Sequence, residues 1–214
     1  MPMKENKLLQ PVMRAALVLI IPGIMLAGSC TKEEPQKQRT VQAVNPYSAD
    51  SVYLELQKKL KDNPDDVDSL YHLADLYDRN AQYAEAIETY KKVVKLKPDM
   101  GYAYFKMGTA YDRLDKAAEA VAEFRKAAGY LPNYPVLYNN MGIAYGKLGK
   151  FKEEIQSLKK AIKLRPAYSS ARYNLGVTYL RTGDRKSAIK EYEALDRFDG
   201  GTAAALRKEI DRAS

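Results

Sequence analysis

Four prolines, Pro64, Pro98, Pro132 and Pro166, stand 34 residues apart, and Gly200 falls on the next beat. Proline stops a helix and biases the residue before it toward extended backbone. A fixed period of this length marks one supersecondary unit copied in tandem, each copy needing a neighbour to bury its apolar face. Two helical faces recur inside the period. Leu70, Leu73 and Tyr77 fall at i, i+3, i+7, and Ala86, Tyr90 and Val93 continue the pattern on a second segment. The period therefore predicts a solenoid of helix pairs.

The residues within each copy agree in phase. Residues 67–100 carry Leu70, Leu73, Ala74, Tyr77, Ala86, Tyr90 and Pro98. Residues 101–134 carry Tyr104, Met107, Gly108, Tyr111, Ala120, Phe124 and Pro132. Residues 135–168 carry Tyr138, Met141, Gly142, Tyr145, Glu154, Leu158 and Pro166. Residues 169–201 carry Arg172, Leu175, Gly176, Tyr179, Ala188, Tyr192 and the closing Gly200. This pattern resembles the tetratricopeptide repeat family. The resemblance implies an all-α, right-handed superhelical solenoid of four antiparallel helix pairs. Small residues at 74, 108, 142 and 176 let paired helices approach closely. Gly149 and Gly183 fall at the turn between helices, where a left-handed residue ends the first helix.

Both ends are expected to be capped. Residues 47–64 read as an orphan second helix, with Val52, Leu56 and Leu60 as its core face. Residues 202–214 read as a closing helix presenting Ala203, Leu206 and Ile210. Polar-faced end caps keep solenoids soluble.

Ahead of the repeats, residues 1–14 are polar and basic, Ala15–Gly28 is apolar, and Ser29-Cys30 precedes the charged run TKEE. That order describes an export signal over residues 1–29. A membrane-spanning helix needs about 20 apolar residues, and this shorter stretch is interrupted by Pro22-Gly23. Leu26-Ala27-Gly28-Ser29-Cys30 resembles a bacterial lipobox, although the usual leucine three places before the cysteine is here Ala27. The resemblance implies lipidation of Cys30, a membrane anchor and, with Thr31 in place of a retention aspartate, an outer-membrane lipoprotein facing the periplasm. An inner-membrane or uncleaved anchor and a free thiol are the alternatives. Residues 30–46 then read as the lipidated cysteine and a polar tether.

Composition removes most chemistry. Apolar residues make up 46% and charged residues 29%, values of a folded chain rather than a disordered one. One cysteine excludes a disulfide framework and a cysteine-based zinc or iron–sulfur site, and one histidine leaves little for acid–base work. His72 has no second ligand nearby in the sequence. Gly142, Gly146, Gly149 and Lys150 lack the spacing of a phosphate loop, with Phe151 where Ser or Thr belongs. Glu154 occupies the position that packs on the first helix, elsewhere Ala; relief through Gly142 or an ion pair with a lysine is expected. No enzyme activity and no cofactor or metal are expected.

A second stripe runs along each first helix at spacings of +3, +4 and +3, and in the family it lines the concave groove. Here it comprises Asp68, Tyr71, Asp75 and Asp78, then Tyr102, Phe105, Thr109 and Asp112. The later repeats contribute Val136, Asn139, Ile143 and Gly146, and Ser170, Tyr173, Val177 and Leu180. The groove should be acidic at its amino-terminal end and aromatic to apolar beyond, suiting a partner peptide or helix with a basic end and apolar anchors. The carboxylate clamp of the family's co-chaperone branch is missing from this stripe. Basic residues cluster at Lys91-Lys92-Lys95-Lys97, Arg125-Lys126 and Lys159-Lys160-Lys163-Arg165, and at Arg79, Arg113, Lys147 and Arg181, where they complement helix dipoles. A basic edge facing anionic lipid or an acidic envelope polymer is the second reading of these clusters.

Net charge of +8 suits a nucleic acid or an anionic surface without selecting either; no groove-reading motif is present, so nucleic acid is not expected. The expected function is a membrane-anchored protein-interaction adaptor of the cell envelope, resembling the repeat lipoproteins that assist pilus secretins, β-barrel insertion or cell-wall hydrolases. A self-associating structural lipoprotein and a non-catalytic tether for a cell-wall enzyme are the alternatives.

Overall fold

The computed structural model describes residues 50–213. The expected signal segment, Cys30, the tether and residues 47–49 lie outside the described residues. Within them the chain forms α1 Ser51–Asp62, α2 Val67–Arg79, α3 Tyr83–Leu96, α4 Gly101–Arg113 and α5 Ala117–Tyr130. It continues with α6 Pro135–Lys147, α7 Phe151–Leu164, α8 Ser169–Arg181, α9 Arg185–Asp196 and α10 Gly200–Arg212. No strand occurs among the described residues. No helix there is long and apolar enough to cross a membrane.

Local chemistry sets the helix ends. Asp50, Asp184 and Asp199 accept hydrogen bonds from the first-turn amides of Val52, Ser187 and Thr202 at 2.9, 3.0 and 3.0 Å. Pro135 opens α6, where its missing N–H costs nothing. Arg79, Arg113, Lys147 and Arg181 all lie in the last turn of a first helix, against the negative end of its dipole. Gly149 and Gly183 take φ of +69° and +81° at the helix–helix turn. Ala81 and Asp115 adopt the same left-handed turn in the first two repeats, at φ of 59° and 58°. A side chain there costs about 1–2 kcal/mol, which the packed flanking helices sustain.

Successive helices pack in order, α2 on α3, α3 on α4, and so on to α9 on α10. First helices also meet across repeats, α4 with α6 and α6 with α8. No two second helices make comparable contact. The side on which neighbours crowd is the inside of a curved array, so the first helices line the concave face.

The core follows the repeat. Tyr90, Phe124 and Leu158 from the second helices are fully buried. Each takes its depth from a small residue on the paired first helix. A Cβ at Gly108 would sit 2.6 Å from two ring carbons of Phe124. In the fourth repeat the space over Gly176 is filled instead by Leu206 of α10, whose side chain would lie 2.6 Å from a Cβ there. Ala203, Leu206 and Ile210 are all buried, so α10 closes the core with the face its sequence predicts. At the other end the expectation needs correction. Val52 is 55% exposed, and Tyr53 and Leu56 form the buried face of α1 with Leu60 partly buried beside them. The Tyr53 ring packs against Tyr77 at 6.4 Å, which turns the helix by one position.

Candidate functional site

The predicted groove stripe lies on α2, α4, α6 and α8, the helices that line the concave side. Its members differ in availability. Asp68, Tyr102 and Ser170 are exposed; Tyr71, Asp75, Asp78, Thr109, Asp112, Val136, Ile143, Tyr173 and Val177 are partly buried. Phe105 and Asn139 are buried, at 7% and 5% exposure. These two do not offer a free surface, which corrects the expectation for them.

Phe105 is covered by an aromatic ring that the stripe did not include. Tyr134, in the turn before α6, stands edge-on to Phe105 at 5.1 Å and to Tyr102 at 5.5 Å. Tyr168 occupies the same turn one repeat later and stacks with the Arg165 guanidinium at 4.9 Å. Both tyrosines fall two residues after the repeat proline, in Pro132-Asn133-Tyr134 and Pro166-Ala167-Tyr168. That recurrence was the available signal. With Tyr71, the rings of Tyr102, Phe105 and Tyr134 make an aromatic wall in the first half of the groove, of which Tyr102 is 48% exposed. Burial pushes the Tyr71 hydroxyl up to about 12, so it remains a neutral hydrogen-bonding group.

The acidic end is more balanced than its sequence suggests. Lys106 Nζ lies 3.0 Å from Asp75 and 3.8 Å from Asp78. Tyr90 donates its hydroxyl hydrogen to Asp75. Burial holds the Asp78 carboxyl above the usual carboxylate range, against the attraction of Lys106. Lys147 Nζ reaches back to Asp112 at 2.7 Å and donates to its carbonyl at 3.1 Å. Asn174 Nδ2 donates to Asn139 Oδ1 at 3.2 Å. Polar pairs thus run from each first helix to the next, bracing the groove floor and fixing its curvature. Asp68 remains exposed at the entrance.

Glu154 departs from the expectation in both respects. It is 5% exposed, and its Oε1 accepts a 2.8 Å hydrogen bond from Thr178. The nearest cation is Arg181, 3.9 Å away, rather than a lysine. Room comes from Gly146, where a Cβ would stand 2.6 Å from Oε1; the space at Gly142 is taken by Leu158. Burial pushes the Glu154 carboxyl up, only partly offset by the Thr178 hydrogen bond and the Arg181 charge. Among the described residues no group of His, Cys, Asp and Glu side chains is arranged to hold a metal ion.

Comparison with known proteins agrees with this architecture. The tetratricopeptide repeat family model matches residues 67–100, 101–134 and 169–200, and a second TPR repeat model matches 147–183. The helix pairs of this chain are tetratricopeptide repeats. Among solved structures, the MamA protein is similar with a TM-score of 0.65 and 28% identity, over 67% of this chain and 79% of that one. YrrB, described as a TPR protein with an unusual peptide-binding site, gives a TM-score of 0.62 at 22% identity, over 74% of this chain and 86% of its own. The first TPR of Spaghetti (RPAP3), solved bound to the HSP90 peptide SRMEEVD, gives 0.53 at 24% identity, over 55% and 93%. A search of curated proteins found no match.

Proposed function

We propose that the protein is an interaction adaptor that holds a segment of a partner protein along its concave face. The observation that carries this reading is the aromatic wall. Tyr102 exposes 48% of its surface on the inner side of a braced solenoid, supported from behind by Tyr134 and Phe105. A rigid, exposed tyrosine backed by other rings offers large contact area at low cost in rotamer entropy. Farther along, Ile143, Tyr173 and Val177 give partly open apolar positions for the anchors of an extended or helical segment. YrrB, with its peptide-binding site, and Spaghetti, solved with a bound peptide, are support through the fold alone.

The proposal extends to location through the sequence. The apolar Ala15–Gly28 followed by Cys30 supports a lipid-anchored protein at the outer membrane, with the groove working in the periplasm on the assembly of a pilus, secretion or outer-membrane machine. Such an anchor would keep the solenoid within reach of membrane-embedded partners.

The test is affinity capture from native membranes with the wild type and a Tyr102→Ala/Tyr173→Ala variant of matching helicity. One partner should be enriched by the wild type and reduced at least tenfold with the variant. A Cys30→Ala bait should shift to the soluble fraction. Equal capture by both groove forms sinks the groove reading, and recovery of only the protein itself supports a self-associating structural role instead.

A further inference from the structure

The third repeat departs from the other three at two positions that face each other. Position 154 is Glu where the equivalents are Ala86, Ala120 and Ala188, and position 146 is Gly where they are Asp78, Asp112 and Leu180. The two changes fit as a pair. A Cβ at 146 would stand 2.6 Å from Oε1, so a side chain there would displace the carboxylate from its present place. Without one, the inner face of α6 is open down to Glu154, which extends from α7.

The opening is a pocket of about 300 Å³ between the third and fourth repeats. Glu154 lies at its floor, Ile143 and Val177 form apolar walls, and Asn174, Lys147 and Arg181 complete the lining. Ile143 and Val177 belong to the groove stripe, so the pocket is a depression in that groove. Its floor is incompletely satisfied. Glu154 Oε1 has the Thr178 hydroxyl, whereas Oε2 is buried and accepts no hydrogen bond. A buried carboxylate oxygen without a donor is unfavourable and is rare in a folded protein unless something else supplies the donor.

The surrounding charges say what kind of donor fits. Lys147 is already held by Asp112 at 2.7 Å and by Asp115 at 3.6 Å. Arg181 lies over the Phe151 ring at 4.5 Å and is 3.9 Å from Oε2, beyond hydrogen-bond distance. The lining therefore holds one carboxylate, Glu154, beside two cations that are engaged elsewhere, Lys147 by two carboxylates outside the lining and Arg181 by the Phe151 ring. We propose that this pocket is a subsite for a lysine or arginine side chain of the bound partner segment, with Glu154 as its acceptor. The inference rests on the groove reading and adds a residue-level preference to it. The apolar walls take the stem of the side chain, and its charged end completes Oε2.

The test is an NMR titration of the ¹⁵N-labelled full chain with the peptide acetyl-Gly-Arg-Gly-amide. Comparison peptides carry citrulline, the neutral counterpart of arginine, or glutamate in the central place. The arginine peptide should shift the Gly146 backbone amide and the Asn174 side-chain amide saturably, with at least tenfold higher affinity than the citrulline peptide. Glu154→Gln should abolish that difference. Glu154→Ala serves as a second variant, since alanine occupies this place in the other repeats. Arg181→Ala supplies the opposite sign: removing a competing cation should tighten arginine-peptide binding severalfold. The proposal is overturned if the glutamate peptide shifts the same signals and Arg181→Ala weakens it, which would make the pocket an anion site. It is also overturned if the arginine peptide leaves both signals unmoved in wild type and Arg181→Ala alike. Loss of partner capture in Tyr102→Ala/Tyr173→Ala alongside either result would leave the groove reading standing without this subsite.

Discussion

Phe124→Ala is expected to lower the unfolding free energy by about 3–5 kcal/mol, the range for deleting a large buried aromatic ring. The ring is fully buried and fills the space over Gly108, so the glycine cannot close the void from its side. It joins a cluster that includes Val121 and Ala127 of α5, Phe105 of α4, and Leu137 and Met141 of α6. The second and third repeats are therefore loosened together. For a chain of this length the midpoint of thermal unfolding should fall by roughly 6–20 °C. Circular dichroism through a thermal ramp measures it. A fall of under 2 °C would mean that the second-helix ring is not the packing centre of its repeat.

Leu206→Asp is expected to act as strongly but in a different place. Leu206 is fully buried over Gly176, in a cluster with Leu175, Ala188, Leu195 and Ile210. A carboxylate there has neither water nor a partner, and an uncompensated buried charge costs about 3–5 kcal/mol. Stability in a solenoid is close to a sum of repeat and nearest-neighbour contributions. Loss of the terminal contact should therefore release α8, α9 and α10 while leaving α2 to α5 folded. Hydrogen exchange should show protection lost from residues 169–212 and retained over 67–130. Uniform loss along the chain would show that the array melts as one unit and that α10 is no local cap.

Both effects arise at positions whose place in the packing is legible in the sequence. The 34-residue beat of prolines and the small residue at 108 are enough to pair the helices of a repeat, whereas the small residue at 176 admits Leu206 of α10 instead of its paired helix. Ala203, Leu206 and Ile210 announce the closing helix by spacing alone. The turn glycines Gly149 and Gly183 are legible for the same reason, whereas Ala81 and Asp115 give no sign of their left-handed backbone. On α1 the reading misses by one residue, since a sequence with both Val52 and Tyr53 offers two faces and only the Tyr77 ring selects one.

The groove is legible as a stripe but not as a surface. Spacing puts Phe105 in line with Tyr71 and Tyr173, yet Tyr134 covers it from a turn that no helical period includes. Likewise Asp75, Asp78 and Asp112 look like free acids in the sequence. Lys106 and Lys147 neutralise them from the following repeat, contacts that depend on superhelical curvature rather than on neighbours in the chain. Glu154 stands out in the sequence as a misfit, and only the packing shows that Gly146 is its complement.

The central claim is that the concave face is the working surface, and contact mapping tests it most directly. A photo-crosslinking amino acid placed at Tyr102, on the inner side of α4, would be compared in native cells with one at Ala122, exposed on the second helix α5. The account predicts a covalent adduct with one other protein from position 102 and none from position 122. Adducts that form from position 122 and not from 102 would contradict it and move the binding surface to the second helices.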